Sequence, residues 1–146
     1  MCAKDDCNQL LDATVPRAEN LLREHGEFFP IGAQMLPSGE IVPVAAYAGE
    51  EQPPSQHLID LLQISFKTRA YDSEIVATAL VYDVSVTPPG SDRKSDAIAV
   101  NLDHRDNYSV TVFFPYVIAS GEPALGEAFG NIGENPIFPS HSSSEA

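Results

Sequence analysis

The chain of 146 residues is long enough for one domain, and its 43% hydrophobic content excludes disorder throughout. Eight basic against twenty-one acidic residues give a net charge of −13, with no Lys or Arg beyond Arg105. Such a surface repels phosphate backbones and anionic lipid heads, so no nucleic-acid or membrane partner is expected; the charge serves solubility and would favour a basic protein partner.

One domain over residues 1–146 is expected, with an ordered core from about 8 to 138 and frayed ends. Cys2 and Cys7 make no disulfide framework, and their spacing is too wide for a CxxC redox or zinc site. No signal peptide and no apolar run near the roughly 20 residues of a membrane span occur, so a cytoplasmic location is expected. No metal and no cofactor is expected, because no carboxylate cluster, Walker loop, Rossmann glycine pattern, HExxH or GxSxG is present.

Leu11, Val15, Ala18, Leu22 and His25 recur at helical spacing and predict an amphipathic N-terminal helix ending before Gly26. Pro16 lies inside it. Either the helix kinks there, or a fresh one starts with Thr14 as its cap. Ile31 to Met35 or Leu36 and Ile41 to Tyr47 then read as strands around the turn Pro37–Glu40, with Pro43 placing the second at an edge or a bulge. Gly49–Pro54 is a polar connection. Ser55 caps a second helix, about Gln56 to Tyr71, whose inner face is Leu58, Leu61, Leu62, Ser65 and Phe66.

The remainder predicts a β meander: Glu74–Thr87, Asp96–His104 and Tyr108–Tyr116. The last two form a hairpin whose register can be derived. Ile98, Val100 and Leu102 share one face, as do Val110, Val112 and Phe114. A three-residue loop, Arg105–Asn107, pairs Leu102 with Val110, Val100 with Val112 and Ile98 with Phe114, with Asn107 left-handed. Beyond Pro115 glycines and prolines predict an irregular tail, with one helical turn at Ala124–Phe129, pinned by Phe129, Ile132 or Phe138.

The order α-β-β-α-β-β-β predicts an α+β fold: a five-stranded antiparallel sheet with helices packed on it. This order resembles the profilin-like and Roadblock or longin group over residues 8–117, in topology alone. The stretches Phe28-Phe29-Pro30-Ile31-Gly32, Ser95-Asp96-Ala97-Ile98-Ala99-Val100 and Phe114-Pro115-Tyr116 resemble those of small uncharacterised bacterial proteins, a resemblance that implies no function.

The strand Glu74–Thr87 is apolar on both faces, which requires cover on both. Ala77, Ala79 and Val81 are expected to share a face with Ala97, Ala99 and Phe113. Either the N-terminal helix or a symmetric partner covers it, and the second case predicts a homodimer with those six residues at its interface. Along the same face the residues turn polar. Asp83, Asn101, Asp103 and Thr111, with His104 at the hairpin tip, make a candidate pocket floor for a small ligand. No nucleophile elbow accompanies His104, so no catalytic residue is assigned and a non-enzymatic interaction module is the expected class.

Overall fold

The computed structural model of the chain describes residues 3–45 and 55–138. Its elements run α1 (Ala3–His25), β1 (Ile31–Met35), β2 (Ile41–Ala45), α2 (Ser55–Tyr71), β3 (Ala77–Val86), β4 (Ser95–His104), β5 (Tyr108–Ala119), β6 (Glu122–Leu125) and β7 (Phe129–Ile132). The expected strand extension to Tyr47, the connection Gly49–Pro54, Cys2 and the tail from Ser140 lie outside the described residues.

All pairings are antiparallel, in the order β2-β1-β3-β4-β5-β6, with β7 also on β5. The class is α+β as expected, but among the described residues the sheet has seven strands rather than five. The two additional strands replace the irregular tail and its helical turn. Gly126 and Gly130 disfavour a helix there, while the outer edge of β5 offers hydrogen-bond partners along Val110–Phe113 and Tyr116–Ala119. Of the three expected anchors, Phe138 is buried together with Ile137, and Phe129 stacks on Phe113 at 5.1 Å, whereas Ile132 is exposed.

α1 is a single helix through Pro16, with no second start. The Thr14 hydroxyl does not cap; it donates back to the Leu10 carbonyl at 2.9 Å. Gly26, at φ 78°, terminates the helix with its N–H on the Leu22 carbonyl. Residues 3–6 form the first turn of the helix. Asp5 and Asp6 there complement the positive helix end.

The hairpin register of β4 and β5 is the one derived: Leu102↔Val110, Val100↔Val112 and Ile98↔Phe114, with Asn107 at φ 66°. The expected continuity from β3 to β4 is corrected. Ala79 pairs with Leu102 and Val81 with Val100. The connection between Val86 and Ser95 is too long to set this parity, and the larger apolar set of β4 decides it. Ala77, Ala79 and Val81 therefore share a face with Ile98, Val100 and Leu102, under Cys7, Leu10, Ala18 and Leu22 of α1. Ala97 and Ala99 are on the opposite face, also without exposed surface. Ala99 sits between Tyr82 and Phe113 on the flanking strands, and these larger side chains shield it. The same chain thus covers all five of these small residues, while Phe113 is half-buried.

α2 packs on that opposite face through Leu62 and Phe66 over Leu80 and Ile75, with Ile137 and Phe138 completing the cluster. Gly32 makes this approach possible: a Cβ there would stand 2.7 Å from Phe66 Cζ.

Candidate functional site

The chain enters the sheet from α1 at Ile31. β1 covers β3 only from Ala77 to Val81. β3 has ten residues and β1 five, so 10 − 5 leaves five residues, Tyr82–Val86, without a β1 neighbour. A cleft of about 920 Å³ opens beside this stretch. Arg17, Leu21 and His25 of α1 line one side, the connection Glu27–Phe29 another, and Asp83, Val84, Ser85 and Asp96 the sheet end, with Ser55 at the start of α2.

Asp83 is the group most affected by this setting. Burial pushes its carboxyl above the usual carboxylate range; the Tyr116 hydroxyl, donating to Oδ1 at 2.8 Å, pulls the other way, and the Asp96 and Glu27 charges push it up again. The Tyr116 hydroxyl is itself raised, by burial first and then by its bond to Asp83. Phe28 is buried, but Phe29 is 49% exposed at the cleft wall. Three carboxylates and the exposed ring of Phe29 thus line the cleft together with Arg17 and His25, and Tyr116 holds one of those carboxylates through Asp83 Oδ1. That set can hold a cation by charge and ring face. His25 lies 3.7 Å from Glu24, and among the described residues no serine or cysteine is hydrogen-bonded to it. Among the described residues no group of three or more His, Cys, Asp and Glu side chains is placed to hold a metal ion, and no helix is long and apolar enough to cross a membrane.

The other polar residues singled out from the sequence do not join Asp83. Asn101, Asp103 and Thr111 are on the α2 face of the sheet, because β3 and β4 pair with the opposite parity to that expected. They bond to their neighbours. Asn101 Oδ1 accepts from Thr111 Oγ1 at 2.9 Å and from the Tyr82 hydroxyl at 3.3 Å. Asp103 accepts from Ser109 Oγ at 2.7 Å; burial raises its carboxyl and this bond lowers it in part. The Asn135 N–H donates to the same Ser109 oxygen, bringing the chain before Ile137 over this row.

His104 is buried on the α1 face. The Asp106 N–H donates to its Nδ1 at 3.0 Å, so that nitrogen carries no proton. Nε2 then holds the proton and donates to Asp6 Oδ2 at 2.8 Å. Both nitrogens are committed, and the ring braces the first turn of α1 against the hairpin tip. Cys7, one residue on, is buried with its thiol pushed up to about 12, chiefly by burial and then by Asp103 and Asp6. It is an inert core side chain.

Tyr116, Phe29, Glu27 and Asp96 were not legible as site residues. The one available signal was the unequal length of β1 and β3. The chain matches no protein family, no curated protein and no solved structure.

Proposed function

We propose that this chain is a non-enzymatic binding module whose cleft takes a cationic side chain from a basic protein partner. The carrying observation is Asp83: a carboxylate in a cleft, held by Tyr116, with Glu27 and Asp96 nearby and Phe29 exposed beside it. The net charge of −13 would draw such a partner in over a distance. A buried free Cys7 suits a reducing cytoplasmic setting.

Calorimetric titration with a Lys-rich peptide at low and high salt tests this. Binding should weaken with salt and should drop several-fold in Asp83→Asn with Asp96→Asn. Equal binding by wild type and that double variant would remove the cleft from consideration.

A second reading, self-association, is favoured by Val117 and Ile118, which are 64% and 39% exposed on the hairpin where β5 runs past β4. Sedimentation showing monomer alone at high micromolar concentration would dispose of it.

A further inference from the structure

Taking the cleft as the site of a basic partner, we infer that the partner binds as an added β-strand, hydrogen-bonding the outward backbone groups of Asp83 and Ser85. The phase of the ladder places those groups. The Arg105 N–H donates to the Val76 carbonyl at 3.0 Å, and the β3–β4 register then runs unbroken from Ala77↔His104 to Val86↔Ser95. Even-numbered residues of β3 accordingly exchange hydrogen bonds with β4, and odd-numbered ones point toward β1. Gly32 agrees: a Cβ on it would stand 3.3 Å from the Ala79 carbonyl oxygen, so Ala79 faces β1. Val81 is the last residue of β3 with a β1 partner, Ile31. Asp83 and Ser85 come next in phase, and both line the cleft. Among the described residues no strand pairs with them.

Proteins blunt such edges with Lys, Pro or a bulge. The stretch Tyr82–Val86 has none of the three. It is recessed between α1 and the start of α2, which keeps it from flat edge-to-edge contact while leaving room for one extended segment. A partner residue opposite Asp83 shares its face, where a Lys or Arg would meet Asp83, Glu27 and Asp96. Its neighbour opposite Val84 points to the other face and suits an apolar side chain. The fitting segment alternates cationic and apolar residues. A second copy of this chain is disfavoured, since pairing two such edges would bring two sets of these carboxylates together.

The test uses blocked seven-residue peptides alternating Lys and Val, unmodified or N-methylated on alternate residues in either phase, against wild type and Ser85→Pro. Proline at 85 removes an outward N–H and leaves the β4 ladder intact. Strand addition predicts about tenfold weaker binding to Ser85→Pro, loss with one methylation phase and retention with the other. Amide exchange at Asp83 and Ser85 should slow on binding to wild type. Equal affinity across all peptides and both proteins would overturn strand addition while leaving a charge-held partner in the cleft. No binding by any basic peptide would overturn both. A wild-type dimer made monomeric by Ser85→Pro would assign the edge to a second copy. If Ser85→Pro does not fold, the methylated peptides and the exchange data on wild type decide alone.

Discussion

Removing the Tyr116 hydroxyl isolates the bond that holds Asp83. Tyr116 is 6% exposed and donates at 2.8 Å, so Tyr116→Phe keeps the ring packing and deletes one charge-assisted bond. A hydrogen bond to a charged acceptor contributes roughly 1.5–3 kcal/mol, and the half-exposure of Asp83 places the expected loss near the lower end, about 1–1.5 kcal/mol at pH 7. For a domain of this size that lowers the melting temperature by about 3–5 °C. The pH dependence has a definite sign. Asp83 is raised in the folded state, so its contribution is fully present below the unfolded carboxylate value and is lost as pH rises through the folded one. Tyr116 is the donor that limits this rise; without it the folded value climbs further, so the loss, which starts near the unfolded value in both proteins, extends to higher pH and becomes larger. The stability deficit of Tyr116→Phe should therefore be larger at pH 7 than at about pH 3.5, where the carboxyl is mostly protonated in both states. Urea unfolding of the double-mutant cycle with Asp83→Asn reads the coupling. A cycle energy near zero, or a deficit equal at both pH values, would refute the assignment of Tyr116 as the residue that stabilises the charged form.

Three further substitutions probe the frame around the cleft. Gly32→Ala should destabilise by about 1–3 kcal/mol, because its Cβ would collide with Phe66 Cζ, and Phe66→Leu should recover part of the loss. Additive losses in urea unfolding would mean that α2 does not rest on β1 through that contact. Asp103→Asn should stabilise the protein near neutral pH and flatten the gain in stability otherwise seen as pH falls toward about 4, since burial raises this carboxyl as well. An unchanged pH profile in thermal unfolding would count against a desolvated Asp103. In a Cys2→Ser background Cys7 should resist a disulfide reagent at pH 8, where a thiol pushed up to about 12 is ionised in on the order of 1 in 10⁴ molecules. Labelling should follow only on unfolding, and prompt native labelling would contradict its burial.

What could be read from the sequence was what short-range geometry decides. The β4–β5 register follows from three loop residues and one Asn that accepts a left-handed backbone, so parity and pairing came out together. The α1 helix and its Gly26 stop are equally local, although its buried stripe is Cys7, Leu10, Thr14, Ala18 and Leu22, with Leu11 and Val15 at its margin and His25 exposed. Pro16 showed the limit of a local rule. Packing of Leu10, Ala18 and Leu22 on the sheet outweighs one lost helical hydrogen bond, and the helix continues. β6 and β7 were missed because four-residue strands of mixed polarity leave no periodic trace; only the edge of β5 makes them strands. Asp83 was recognised, but its companions were misassigned.

That misassignment has one cause, and it reaches the functional conclusion. Side chains alternate along a strand, so one unit of parity between β3 and β4 decides whether Asp83 stands with Asn101 and Asp103 or with Tyr116. In the first case four polar groups would converge on one face and suggest a small-molecule pocket. In the second, Asn101 is bonded by Thr111 and Tyr82 and Asp103 by Ser109, and Asp83 is left at the strand end with carboxylates and an exposed ring. The excess length of β3 over β1 then matters more than any polar motif. Among the described residues it sets an acidic group and an unpaired backbone edge side by side, which is the surface the proposed basic strand would use.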